Sequence, residues 1–443
     1  MDQSSTKRTV LRGAWYPGDV AVTDGYIERV GTVEAEPGDR TIDCRDGIIT
    51  AGLINAHHHV GQWMTRGEDT ASGLSAWLRH LYPRWGAMDV DDVRSAALVG
   101  FVELARSGCT TSVDHHYVVP GSNDQCFDAI ADAARTVGIR LFLARGAIDI
   151  GIREGGLAPD DLVEDRDAAL ASMESVATRL HDDETVWVAL APNSPHSASL
   201  GLMRDAAELA DRLGLRLHTH LAETATVAAM YRERFGRTPI ALLDDLGWLS
   251  PRSWVAHGTH LDEDEIRQAG RAGLGVAHCP SGNARLGTGI CPVVDLLNAG
   301  APVGLGVDGG AVNETGVLFP ELRQALYFAR LRARDPAIFG PQAALDLGTV
   351  GGARCLGLDD RLGRLDVGME ADLVVWPAHD LHDFADPIAA LVLGANRRAL
   401  HVLVRGRLII VDGESPTVDV GSAHRDLARR ASRLREQTRP SPL

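Results

Sequence analysis

The run "NAHHHVGQW" sets His57, His58 and His59 side by side, directly after the apolar stretch "DGIITAGLI". An apolar run of that kind reads as a buried β-strand, and strand side chains alternate faces. His57 and His59 therefore share a face, and His58 points the other way, into the wall. Two imidazoles on one face, one residue apart, can grip a metal ion. Other donors stand ready to complete its shell. "HTHLAE" offers His218, His220 and Glu223; "AHGTH" offers His257 and His260; "AHCPS" offers His278; "GVDGG" offers Asp308. A single histidine at such a place is more simply explained by packing. The set is not, because each member sits where an apolar run ends. His57, His59, one histidine of the "HTH" pair and Asp308 make a three-nitrogen, one-oxygen set suited to zinc or iron, with room for water. His218 and His220 share a face, so alternation does not choose between them. His260 and the pair His115–His116 fit packing as well as function.

Donors this far apart in the chain meet only if their carriers curl into one surface. Eight strand-like runs lie around "GIITAGLINAHHH", "CTTSVDHH", "IRLFLARG", "TVWVALAPNS", "LRLHTHLAE", "SWVAHGTH", "LGVAHCPS" and "PVGLGVDGG". Helix-like stretches such as Val90–Ser107, Asp165–Leu180, Ser199–Leu213 and Pro320–Arg334 separate or follow them. Eight βα units in roughly 300 residues suit an α/β fold, a (β/α)8 TIM-type barrel. A doubly wound open sheet has the same alternation. The polar residues favour the barrel, whose active sites gather at the carboxyl ends of the strands. The two ends of the chain read differently, as short strands and turns. "DVAVTDGYIERVG" is a hairpin signal with Asp24-Gly25 at its turn. The expected organisation is a β-rich composite of residues 1–50 and 363–421, a barrel over 51–362, and a C-terminal helix and tail over 422–443.

Composition narrows the chemistry. The 443 residues carry 44 basic and 60 acidic side chains, a formal charge of −16. Such a chain has no general attraction for nucleic acid or anionic membranes, so a small free substrate is expected. Lys7 is the only lysine, which excludes a P-loop and a Schiff-base lysine in the core. The six cysteines form no C-x-x-C pair, so neither a zinc knuckle nor a disulfide framework is expected. With no apolar run of ~18 residues and no leader-like segment, the expectation is a cytoplasmic protein without a membrane span. Gly304, Gly306 and Gly309 match G-x-G-x-x-G. The first two fall in a strand rather than opening a helix, so close packing explains them better than a dinucleotide.

The motifs "GLINAHHH", "HTHLAET", "VAHG", "AHCPSGNARLGTG" and "VGLGVDGG" together resemble the amidohydrolase superfamily, in particular its branch of ring-amine deaminases and triazine hydrolases. The likeness runs from about Gly47 through "LGRLDVGMEADLVVW" to "LVRGRLIIVDGE", most of the chain. It implies that the β-rich ends pack as a small sandwich beside the barrel, and it selects His220 over His218 as the metal ligand. It implies hydrolytic deamination of a small nitrogen heterocycle, with 8-oxoguanine or a related oxopurine first and a triazine, pterin or pyrimidine ring next. Asp308 would take the proton of the attacking water, His257 would hydrogen-bond that water, and Glu223 would protonate the neighbouring ring nitrogen. Gln62 stands at the spacing of the 8-oxoguanine branch and could read a ring carbonyl with its adjacent N–H. Asn193 ends the fourth strand, where relatives tend to carry Cys or His, so it bears on which ring is accepted. Two-metal relatives commonly bridge the ions with a carboxylated lysine on strand four. "TVWVALAPNS" has no lysine, Glu or Cys, so one divalent ion is expected. A non-catalytic barrel serving as a binding module would be expected to have lost ligands; here the whole set is present. A homo-oligomer is also expected.

Overall fold

The apolar run ahead of the triple histidine is two strands, not the one expected from its hydrophobicity. Gly47–Ala51 pairs antiparallel with Leu373–Pro377 in one sheet, while Leu53–Asn55 enters another. The chain passes between them at Gly52, where a Cβ would come within 2.2 Å of the Thr110 hydroxyl. Apolarity is continuous across that crossing because both sheets are buried there, so hydropathy alone carries no mark of it.

The computed structural model describes residues 8–119, 123–394 and 396–438. Its centre is a closed, parallel eight-stranded barrel. In chain order, first to eighth, the strands are Leu53–Asn55, Cys109–His116, Arg140–Ala147, Val186–Pro192, Arg216–Leu221, Ser253–His257, Gly275–His278 and Val303–Leu305. The eighth pairs with the first through Leu305 and Asn55, which closes the ring. Period-two alternation explains the packing. Ile54, Phe142, Trp187 and Trp254 fill the lumen with Ala144, Ala189, Ala191 and Ala277, and Cys355, Leu356 and Leu358 plug its lower end. Their neighbours Leu53, Leu141, Leu143, Val188 and Val255 face outward into the layer beneath the helices. Several helices begin at side-chain caps. Asp165 and Ser199, read as first helical residues, are instead the N-caps of Arg166–Leu180 and Leu200–Leu213, which satisfy otherwise orphaned N–H groups.

Beside the barrel lie two four-stranded sheets. One holds Thr9–Arg12, Asp19–Thr23, Tyr26–Gly31 and Arg40–Asp43; the other holds Gly47–Ala51, Leu373–Pro377, His401–Val404 and Arg407–Ile410. Leu11, Val20, Ile27, Ile49, Val375 and Leu403 are buried between them. Asp24 and Gly25 take positive φ (55° and 84°) at the hairpin turn, as the right-handed twist of the flanking strands demands. The last helix, Val420–Gln437, lies on Val90–Arg106, with Arg430 3.2 Å from the buried Asp92. The outermost expected segments, 1–7 and 439–443, lie outside the described residues. Among the described residues no helix is long and apolar enough to cross a membrane.

A buried ion cluster ties the barrel to the sheets. Arg140, 2% exposed at the start of the third strand, donates from Nε to Asp372 (2.9 Å) and also pairs with Glu370, both just ahead of Leu373–Pro377. Removing one member of such a cluster strands buried charge, at a cost of about 3–5 kcal/mol. Arg140→Leu is expected to lower unfolding stability by that amount in chemical denaturation; a change below about 1 kcal/mol would show the cluster to be incidental.

Candidate metal centre

The residues of the triple histidine are placed by a second, shorter ladder. His58–His59 pairs with Asp308–Gly309 in parallel, Asp308 opposite His58. This pairing carries Asp308 to the triplet across the seam where the barrel closes. His58 is turned away from the others, and its Nδ1 bonds the Asp308 carbonyl at 2.5 Å. Asp308 (φ 60°) and His257 (φ 73°) both hold left-handed backbone, a conformation costing about 1–3 kcal/mol in a non-glycine residue and typical of functional sites. Glycine lets the chain crowd here. A Cβ on Gly282 would lie 2.7 Å from Asp308 Oδ2, and one on Gly306 2.8 Å from the His57 Cβ. That contact bears out the packing reading of the Gly304–Gly309 run.

Hydrogen bonds fix which ring nitrogens carry protons. A carbonyl only accepts, so each nitrogen that bonds one must be an N–H. His59 Nδ1 donates to the His115 carbonyl (2.6 Å), and His220 Nδ1 donates to the Asn193 carbonyl (2.8 Å). Both Nε2 atoms then carry lone pairs, and they face each other at 3.1 Å. His218 Nδ1 donates to the Trp254 carbonyl (2.9 Å), which leaves its Nε2 to accept from His57 Nδ1 (2.8 Å). His57 Nε2 is thereby a third lone pair, buried without a partner. Asp308 Oδ1 lies 3.6 Å from His57 Nε2 and 3.5 Å from His59 Nε2. Three lone pairs and a carboxylate converging in a buried space repel unless a cation lies among them. The donor set therefore fits a metal ion, and its nitrogen-rich character fits zinc. Burial, reinforced by the neighbouring rings, keeps His57 and His220 well below the ordinary histidine pKa, so these rings are neutral donors.

Around this cluster stand the other candidate groups. His257 Nδ1 donates to Asn283 Oδ1 (2.9 Å), and its Nε2 lies 3.9 Å from Glu223 Oε2. Burial first, then the field of Asp308, raise the Glu223 pKa to about 7. Burial also raises that of Asp308. Glu223, His257 and Asp308 line one pocket, and so do Gln62 and Asn193. His59 and His220 line the same space, and His57 is buried against both of their rings. Leu74, Trp77, Leu78 and Tyr82, from the helix Leu74–Gly86 that follows the first strand, also line it. Sequence reading gave this helix no role.

Four further histidines are now placed. His115, left open above, lies with His57, His59 and His220 in a group whose donor atoms fall within 4.8 Å of one another. Its Nε2 donates to the Ala191 carbonyl, its Nδ1 has no partner, and its ring stacks on His220 at 4.9 Å. Its inward position, two residues after the lumen residue Val113, was the signal that could have found it. His116 packs in the wall against Phe127. His260 bonds the Thr288 carbonyl at 2.6 Å and braces a loop. His278 is buried with neither ring nitrogen bonded.

Comparison with known proteins agrees with this geometry. The model of the Amidohydrolase family matches residues 48–409. The chain is 41% identical over 415 residues to an 8-oxoguanine deaminase of Pseudomonas aeruginosa, covering 91% of this chain and 92% of that protein. It is 35% identical over 433 residues to an isoxanthopterin deaminase from an unknown prokaryotic organism, covering 91% and 89%. Among solved structures, atrazine chlorohydrolase TrzN from Arthrobacter aurescens, complexed with zinc, shares the fold with a TM-score of 0.89 and 29% identity, over 96% of this chain and 100% of that one. A family match of this extent, on a closed barrel with its donors at the carboxyl rim, places the chain in the amidohydrolase family, among hydrolytic enzymes.

Proposed function

We propose that the protein removes, by hydrolysis, the ring amino group of a fused oxo-heterocycle, with 8-oxoguanine or a related oxopurine as the substrate. The observation that carries this reading is the cluster of His57, His59 and His220, with Asp308 beside the first two, at a pocket lined by Glu223 and His257. The likeness to an 8-oxoguanine deaminase over most of both chains supports the choice of ring. A pteridine is the second reading, favoured by the isoxanthopterin deaminase likeness. Both compounds present an amino group on a ring carbon flanked by ring nitrogen, next to a carbonyl.

His57, His59, His220 and Asp308 would hold one divalent ion, zinc. When bound, such an ion lowers the pKa of water from 15.7 to about 7 and so supplies the nucleophile at neutral pH. The remaining steps belong to the chain. His257, with Nδ1 committed to Asn283, turns its Nε2 toward the water and accepts its hydrogen bond. Asp308 takes the water's proton. Glu223, kept protonated near neutrality by burial, gives its proton to the ring nitrogen beside the amino-bearing carbon. That carbon gains a C–O bond as the ring loses aromaticity. Asp308 then passes its proton to the amino group, the C–N bond breaks as the hydroxyl-bearing carbon becomes a carbonyl, ammonia leaves, and the hydroxyl's proton returns Glu223 to its acid form. One carboxylate tied to the ion and one free gives the two proton affinities that acid–base catalysis needs. Gln62, with both donor and acceptor on its amide, and Asn193 would orient the ring.

Glu223→Gln is expected to lower kcat roughly 10²–10⁴-fold, the worth of a general acid, with zinc content unchanged by elemental analysis. Normal turnover in that variant would remove Glu223 from the mechanism. Ammonia release measured over oxopurines, pterins, isocytosine, cytosine and triazines should give the highest kcat/KM for 8-oxoguanine. A triazine or pyrimidine in first place would overturn the substrate assignment and leave the metal chemistry standing. Stripping the metal with a chelator should abolish turnover, and zinc should restore it.

A further inference from the structure

We propose that His218 is a positioning residue that fixes His57 as a zinc donor through a closed hydrogen-bonded circuit spanning the barrel lumen. The inference rests on the cation site proposed above and assigns a role to the histidine of the "HTH" pair that the site itself does not use.

The circuit is built from three strands. Trp254, on the sixth, donates its indole N–H to the Ala56 carbonyl at 3.0 Å, immediately before His57. The Trp254 carbonyl accepts from His218 Nδ1 at 2.9 Å, on the fifth strand. His218 Nε2 accepts from His57 Nδ1 at 2.8 Å, which returns to the first. The His218 ring lies flat on the Trp254 indole, 4.5 Å between centroids and 19° between planes, so its rotation is restricted by packing as well as by hydrogen bonds. His57, His218 and Trp254 are all fully buried, and no water competes for these bonds.

The direction of the circuit has a consequence for the donors. His218 has one acceptor to offer His57 only because its other nitrogen donates to a carbonyl. His57 must then carry its proton on Nδ1, and its lone pair sits on Nε2, toward Asp308. A ligand histidine ordinarily donates its second nitrogen to a carbonyl, carboxylate or water. His59 and His220 do this directly, with the carbonyls of His115 and Asn193. Among the described residues the partner of His57 Nδ1 is His218, not a backbone carbonyl. His218 relays the carbonyl of Trp254 to it.

The test compares His218→Leu, which cannot accept a hydrogen bond, with His218→Gln, whose amide can accept from His57 and donate to Trp254. Zinc affinity is read by competition with a chromophoric chelator, and metal-free stability by thermal unfolding. His218→Leu should bind zinc 10–100-fold more weakly than the parent, and His218→Gln should recover most of that loss, with KM of either loaded enzyme little changed. Equal zinc affinity in the parent and His218→Leu, or an equal loss in both variants, would overturn the proposal. Failure of the parent itself to bind zinc would instead sink the site. Should His218→Leu not fold, the unmodified metal-free protein still decides the matter. Long-range 1H–15N spectra of the ring nitrogens should show His57 and His218 both protonated at Nδ1. A proton on His57 Nε2 would refute the circuit.

Discussion

Two imidazole lone pairs facing each other at 3.1 Å in a buried place, His59 Nε2 and His220 Nε2, are tolerable only with positive charge between them. His59 is buried, so the field is poorly screened there, and neither ring can turn without losing its bond to a backbone carbonyl. The rest of the site follows from that constraint. His57 adds a third lone pair, Asp308 a carboxylate, and each is held from behind. The protein thus spends the carbonyls of His115 on the second strand, Asn193 just past the fourth and Trp254 on the sixth on setting the proton positions of its donors.

Holding the donors requires the barrel to close, and closure is achieved cheaply in sequence but at close quarters in space. The first and eighth strands share a single register pair, Leu305 with Asn55, before the His58–His59 and Asp308–Gly309 ladder takes over. Asn55 strengthens the seam by accepting from Val307 N–H at 3.0 Å and donating to Ser112 at 3.0 Å. Glu321, buried on the helix Phe319–Ala333, accepts from Ser281 N–H and hydroxyl and from Asn313. It thereby joins the short helix Pro280–Leu286 to the turn that follows Asp308. Gly282 and Gly306 leave room for this convergence, and the left-handed backbone at His257 and Asp308 is the local strain that the surrounding contacts sustain.

Much of this was legible in the sequence because it depends on periodicity and position. Period two separates His57 and His59 from His58, and the recurrence of polar residues after apolar runs marks one rim of a barrel. What escaped depends on contacts between distant backbones. The split at Gly52 leaves no trace in hydropathy, since both flanking strands are buried. The partnership of His218 with His57 links residues 161 apart, and the support of His220 by Asn193 comes from a main-chain carbonyl that any residue would supply. The side chain of Asn193, singled out for the substrate, lines the pocket, while its backbone does a second job that residue type cannot reveal. The helix Leu74–Gly86 has no role assigned from the sequence; only its place in the pocket lining distinguishes it.

The two carboxylates of the site show how one functional group acquires two behaviours. Burial raises the pKa of both Asp308 and Glu223. A cation among the histidines reverses that effect for Asp308, which lies within 3.6 Å of two donor nitrogens, and it would keep the carboxylate ionised as a proton acceptor. Glu223 lies 3.9 Å from His257, which draws its pKa down, but burial, the larger cause, and then the field of Asp308 favour a proton on it. An ion held there would make Asp308 a base, while burial would leave Glu223 an acid. Exchanging their environments, not their identities, would exchange their roles.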